Sequence, residues 1–383
     1  MKTAVVHDYF TQLGGAEKVA AEMYAMLDDA ALFTTVALPQ CMPPLVQNIP
    51  VHTSWMQNLP KIEKYYRLYF MLYPLGVGSL DLSDYDLVLS SSSGYAKGVH
   101  TGRDAMHVCY CHTPTRWVWN YDNYSKRESF STLQRAVLGQ LIKVLKHWDK
   151  GAARQPDHFV ANSKVVAERI RAAYGRSAEV IHPPIDINRF HPTSEQDDYY
   201  VVLSRLVPYK RIDLAVKACT ALHKNLIVIG DGPNRRELER YAGSSVKFLG
   251  RASDETVEYH VSRCKALLFP GEEDFGMAPL EVAAAGRPTI AFRAGGAQET
   301  VVESVTGLFF DLQTPDSLAD AIQRFERQDW SPAELRRHSE SFRVEVFQER
   351  FASFLNRIGA PVQMKNIPAL FTLPLEARES VKV

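Results

Sequence analysis

Two cations and a run of carboxylates stand at positions where turns would present them to a ligand. Arg205 and Lys210 are five residues apart in SRLVPYKR, directly after the apolar run YYVVL. Fixed positive charge on a proline turn suits a diphosphate, which is held by charge together with several donors. Further on, LFPGEEDFGMAPLEVAAAG sets Glu272, Glu273 and Asp274 in a glycine-bounded loop between an apolar strand and a helix, with seven residues between Glu273 and Glu281. Pro279 suits a first helical turn, which places the cap near Met277 or Ala278, puts Glu281 in that turn, and aims the amides around Phe275, Gly276 and Leu280 at a ligand. The helix dipole alone would also select an acid there, and an acidic loop can be no more than solvated. Together with AGGAQETV at 294–301, however, the mixture fits a ligand carrying both a diphosphate and hydroxyls. GDGP at 230–233 reads either as a phosphate-compatible turn or as a packing turn. His112, after the apolar run MHVCYC, is either a satisfied structural histidine, with Thr113 in reach, or a residue facing a ligand.

These residues need elements to hold them. Short apolar runs bounded by turn residues alternate with helix-period segments, beginning with TAVVHDY, the Gly14-Gly15 turn and the segment 15–28. Strands are expected at 31–37, 86–91, 106–111, 158–161, 199–204, 225–230, 246–249, 265–269, 288–293 and 307–311, with Asn162 or Ser163 capping the helix after 158–161. Such alternation means parallel sheets covered by helices, an α/β fold in which ligands bind beyond the carboxyl ends of strands. The proline-rich stretch 180–198 separates an N-terminal domain, 1–185, from a C-terminal one, 186–345; a last helix in 346–383 crosses back to the first, and the tail from 360 lacks regular structure.

Composition narrows the partners. The 383 residues are 46% hydrophobic and 23% charged, and Lys plus Arg balance Asp plus Glu at 44 each, so no global field recruits nucleic acid or a bare anionic membrane. Five scattered cysteines build neither a disulfide framework nor a zinc site, which fits a reducing cytoplasm. The N-terminus does not read as a signal peptide, and no run of eighteen apolar residues occurs.

The stretches GGAEKVA (14–20), CHTPTRWVW (111–119), SRLVPYKRID (204–213), GDGP (230–233), FLGRASDE (248–255) and EEDFGMAPLEVAAAGRPTIAFRAGGAQETV (272–301) together resemble the retaining GT-B glycosyltransferases of the fourth family, over essentially residues 1–358. The resemblance implies two Rossmann-like doubly wound domains facing a central cleft. By resemblance, Glu273 holds a hydroxyl of the donor sugar, Glu281 the nucleotide ribose, and Arg205 and Lys210 the diphosphate. Gly14 and Gly15 approach the donor phosphate, His112 meets the transferred sugar, and Leu249 and Gly250 flank the base. Asp274, Phe275, Gly276, Met277, Ala278, Pro279 and Leu280 complete the donor site. The likeness is greatest to bacterial mannosyltransferases that use GDP-mannose to extend a saccharide on a polyprenyl diphosphate for exopolysaccharide or O-antigen. A cytoplasmic place, peripheral at the inner face of the membrane, follows, and the basic aromatic stretches 61–78 and 133–150 could rest on that surface or belong to the core.

Other readings stay open at this point: a UDP-sugar donor, a catalytically silent sugar-nucleotide-binding protein, or an epimerase or oxidoreductase on similar sheets, the last disfavoured by the lack of G-x-G-x-x-G after the first strand. No metal or other cofactor is expected. Asp84 and Asp86 in DYD precede a strand rather than follow one, at the end of the sheet away from a ligand, and Glu273 is expected to be free to accept hydroxyls.

Overall fold

The computed structural model describes residues 1–119, 132–363 and 365. The chain divides into two compact units, one running from Met1 to Pro184 and resuming at Val344, the other spanning Ile185–Arg343. In the first unit the strands are β1 (Thr3–His7), β2 (Ala30–Thr34), β3 (Val51–Thr53), β4 (Leu87–Ser92), β5 (Met106–Cys111), β6 (His158–Ala161) and β7 (Glu179–Val180), in the spatial order 3-2-1-4-5-6-7. Every neighbouring pair is parallel. The second unit repeats the plan with β8 (Tyr200–Leu203), β9 (Leu226–Ile229), β10 (Val246–Gly250), β11 (Leu267–Phe269), β12 (Thr289–Phe292) and β13 (Gly307–Phe310), ordered 10-9-8-11-12-13. All its pairs are parallel too.

The apolar runs become strands because both faces of a covered parallel sheet are dry. Alternate residues of β1 therefore enter different cores: Val5 packs with Leu32, Leu89 and Val108 on one face, while Ala4 and Val6 join Phe33 and Val88 on the other. In β8, Tyr200 and Val202 serve one core and Val201 the opposite one. The helix Val344–Arg357 belongs to the first unit because Phe347, Phe351, Phe354 and Leu355 are buried against that unit's core. Strands β3 and β7 have no counterpart in the sequence reading: at three and two residues, both on sheet edges, they are too short to show a period.

Each sheet reverses its order of construction once, between β1 and β4 and between β8 and β11. Connections leave such a switch point in opposite directions and open a crevice at the carboxyl ends of its two strands. Asp84 and Asp86 lie at the other end of β4, paired with Lys2: the Asp86 carboxylate accepts from the Lys2 amide at 2.7 Å, and Asp84 is 3.8 Å from the Lys2 ammonium.

In the stretch 61–78, Ile62, Tyr73 and Val77 are buried, whereas Leu68 and Leu75 stay exposed beside Lys61, Lys64 and Arg67. The helix Thr132–Ala152 buries Ile142 and Leu145 and exposes Val137 and Val144. Among the described residues no helix is long and apolar enough to cross a membrane. The tail beyond residue 365 lies outside the described residues.

Candidate functional site

In the second unit the singled-out residues gather at the carboxyl ends of β8, β10 and β11, the two sides of the switch point. Arg205 is exposed just after β8, its guanidinium donating to the Tyr209 hydroxyl at 3.2 Å. A short turn, Pro208–Lys210, then brings Lys210 round to the loop that follows β11, where its ammonium pairs with Glu273 Oε1. The two side chains retain only 18% and 13% exposure, so water screens the pair weakly. Glu273, expected from the sequence to be free to accept hydroxyls, is here engaged by Lys210. The turn after β8 and the loop after β11 converge on the switch point, where the partly buried carboxylate is seated against a cation.

The backbone of this loop is held by AGGAQETV. The Gly296 amide donates to the Glu273 carbonyl at 2.9 Å, and Glu273 bridges to Gly295. A Cβ on Gly295 would come within 2.3 Å of that carbonyl oxygen, and its φ of +63° disfavours any other residue. The glycine pair therefore positions Glu273. In the GDGP turn both glycines have a packing reason: a Cβ on Gly230 would meet the Ser204 carbonyl oxygen at 1.9 Å, and one on Gly232 the Leu206 carbonyl oxygen at 2.3 Å.

The helix after the loop starts earlier than expected. Gly276, at φ +92°, is the cap, and the helix runs Met277–Ala284, so Pro279 falls in the first turn but Glu281 is the fifth helical residue, outside it. Gly276 takes that left-handed conformation at little cost, having no Cβ. Phe275 and Leu280 are buried with Ile185 and Phe342, which leaves their backbones, not their side chains, for a ligand. Asp274, Met277, Ala278 and Glu281 keep partial exposure around them. Leu249, 39% exposed, and Gly250 end β10 on the same edge of the sheet.

In the first unit His112 follows β5 and is 7% exposed. Its partner is not Thr113: Nε2 lies 2.8 Å from Ser91 Oγ at the end of β4, while His7 Nδ1, at the end of β1, lies 3.1 Å from both Ser91 Oγ and the Ser91 carbonyl oxygen. Asn162 donates to the His112 carbonyl at 3.0 Å, and it is Ser163 that caps the next helix. Burial depresses His112 to about 3, keeping the ring neutral. Gly14 caps the helix Gly15–Ala25 in an extended conformation, and a Cβ there would come within 2.8 Å of Oε2 of the buried Glu17, whose side chain would have to shift.

Several residues were missed from the sequence. The Asp8 carboxylate crosses the first switch point to accept from the amides of Ser93, Tyr95 and Ala96 at 2.6–2.8 Å, fixing the loop after β4. Asp149 accepts from Thr115 Oγ1 at 2.8 Å, Trp119 Nε1 at 2.7 Å and the Tyr174 hydroxyl at 2.7 Å, and pairs with the buried Lys97 at 2.5 Å. Thr115 and Trp119 of CHTPTRWVW are therefore anchors for the segment after His112. The polar HD after an apolar strand and the serine run SSSS were the available signals, since polar residues at the carboxyl end of a buried strand must find partners.

Residues 13–189 match the family described as Glycosyltransferase Family 4, and residues 185–341 the one described as Glycosyl transferases group 1. A GDP-mannose-dependent α-(1-6)-phosphatidylinositol monomannoside mannosyltransferase of Mycobacterium tuberculosis is 31% identical over 192 residues, 42% of this chain and 50% of that protein. A human α-1,3/1,6-mannosyltransferase is 25% identical over 292 residues, 65% of this chain and 67% of its own. The chain spans about half the length of several curated relatives it matches, including that mycobacterial enzyme and an uncharacterized glycosyltransferase of Methanocaldococcus jannaschii, matched over 52% of its length. Among solved structures, Anabaena HepE in complex with UDP and glucose superposes with a TM-score of 0.68 at 18% identity, over 93% of this chain and all of that one. Sucrose-phosphate synthase of Thermosynechococcus elongatus does so with a TM-score of 0.66 at 18% identity, over 94% of this chain and all of its own.

Proposed function

We propose, for a chain that joins a family 4 glycosyltransferase half to a group 1 half on the GT-B fold, that it is a retaining transferase moving mannose from GDP-mannose to a saccharide carried on a polyprenyl diphosphate. The observation that carries this reading is the pairing of Lys210 with Glu273 at the switch point of the second sheet. A cation suited to a diphosphate and a carboxylate suited to hydroxyls occupy one place. A nucleotide sugar would substitute for both partners at once: its diphosphate competes for Lys210 and Arg205, and its hydroxyls replace the ammonium at Glu273. Catalysis then comes from matching the charge that builds on the departing diphosphate, with Glu273 fixing the sugar's orientation. Glu281 takes the ribose, and no metal is required because Arg205 and Lys210 supply the positive potential. The mannosyltransferase relatives favour mannose as the sugar. Exposed Leu68 and Leu75 among Lys61, Lys64 and Arg67 favour a membrane-borne acceptor at the cytoplasmic face.

Thermal shift against GDP, UDP and ADP tests the donor, since a ligand at a hundred times its Kd adds about 2.7 kcal/mol of stability. Stabilisation by GDP ahead of UDP is expected, followed by an α-linked product in NMR and undiminished transfer in excess EDTA. A preference for UDP would replace the donor, a β-linked product would remove retention, loss of activity in EDTA restored by magnesium would bring in a metal, and no response to any nucleotide would sink the transferase reading.

A further inference from the structure

We infer that His7 and Ser91 form a relay that fixes the tautomer of His112, presenting it as a neutral donor with its proton on Nδ1. The inference rests on the reading of His112 as the residue that meets the transferred sugar, and it deepens that reading by assigning the histidine's chemistry and two positioning residues. A carbonyl oxygen only accepts, so the 3.1 Å contact between His7 Nδ1 and the Ser91 carbonyl requires His7 Nδ1 to carry hydrogen. The same N–H reaches Ser91 Oγ at 3.1 Å and occupies an acceptor position of the hydroxyl. The hydroxyl's own proton is then directed to His112 Nε2, 2.8 Å away, and among the described residues that nitrogen is the acceptor it reaches. An Nε2 that accepts is unprotonated, and in a neutral imidazole the proton must sit on the other nitrogen.

Nothing in this chain of contacts is loosely held. His7 is 2% exposed and Ser91 fully buried. His112 is fixed through its own amide, which donates to the Ser92 carbonyl at 2.9 Å, and through its carbonyl, which accepts from Asn162 at 3.0 Å. The three residues stand at the carboxyl ends of β1, β4 and β5, His112 one residue past the last, and these strands are adjacent in the sheet, so strand register sets the spacing of the relay. A neutral Nδ1–H can donate to a sugar hydroxyl or ring oxygen; it cannot take a proton at that atom. His112 therefore orients a sugar and does not act there as a general base.

The test uses the whole chain with its histidines labelled with nitrogen-15, the His112 resonances identified by their absence from His112→Gln. The parent should show an unprotonated Nε2 and a protonated Nδ1 on His112 from pH 6 to 8. Ser91→Ala and His7→Leu should move proton density to Nε2 and slow transfer from GDP-mannose by roughly fivefold to tenfold, the worth of one neutral hydrogen bond. His7→Asn, whose amide can donate from near the Nδ1 position, should stay closer to the parent in both readouts. A protonated Nε2 in the parent overturns the relay, as does a Ser91→Ala protein with the parent's tautomer and rate. The NMR readout does not depend on any donor, so an unprotonated Nε2 in a parent that transfers no sugar would support the tautomer while removing the transferase reading.

Discussion

Replacing Asp149 with asparagine should destabilise the first unit by about 3–5 kcal/mol, the cost of leaving a buried charge without its partner. The size follows from the surroundings. Lys97 and Asp149 are 1% and 2% exposed and 2.5 Å apart, and Thr115, Trp119 and Tyr174 all donate to the same carboxylate. Burial by itself would lower the pKa of Lys97, and Asp149 more than offsets that, so the lysine stays charged. Asparagine keeps the shape but removes the charge, and turns amide hydrogens toward groups that are themselves donors. Lys97→Met should cost a similar amount by stranding the carboxylate. The double change Lys97→Met with Asp149→Leu should cost less than the sum of the single ones, because no charge is then buried. Urea unfolding followed by tryptophan emission reads this out, since Trp55, Trp117, Trp119 and Trp148 lie in the first unit and Trp330 alone in the second. A cost below about 1 kcal/mol for Asp149→Asn, or a double variant as damaged as the sum, would refute the claim that this pair holds the segment after His112.

Acid should weaken the same unit. Burial depresses His107 to about 4 and His112 to about 3, against about 6.5 in an unfolded chain, so their contribution is whole above pH 6.5 and falls away as pH drops toward the folded values. Each should cost about 2 kcal/mol at pH 5 relative to pH 8, seen as a lower urea midpoint, and His112→Gln should lose about half of that dependence; an identical dependence in the variant would contradict it. Glu273→Gln should bind GDP at least as tightly as the parent, since Lys210 loses its internal partner, yet slow transfer about a hundredfold through a misplaced sugar. Weaker GDP binding by calorimetry would count against it, whereas Lys210→Met should show that weakening. Gly295→Ala should lower both stability and transfer, because the added methyl displaces the Glu273 carbonyl; a variant with the parent's melting temperature and rate would show that the approach is not needed.

Much of this protein can be read in one dimension. Apolar runs at loop-helix intervals determined two parallel α/β sheets, because a strand buried on both faces is mostly apolar along its length and a parallel neighbour needs a crossover longer than a turn. The identities of Arg205, Lys210, Glu273 and His112 were likewise legible, since each lies in the turn or loop that follows such a run. What the sequence could not determine was who meets whom. Strand order sets β8 beside β11 and β1 beside β4, and only that order brings Lys210 to Glu273, sixty-three positions on, or His7 to Ser91 eighty-four positions on. The same holds for the helix start at Gly276, where a backbone angle moved Glu281 out of the first turn, and for Asp149, whose partners come from three separate segments, around Lys97, Thr115 to Trp119, and Tyr174. Hydrophobic period is a local property of the chain, so it survives in sequence. The partner of a buried charge is decided by which strands are neighbours, and that appears only when the sheets have formed.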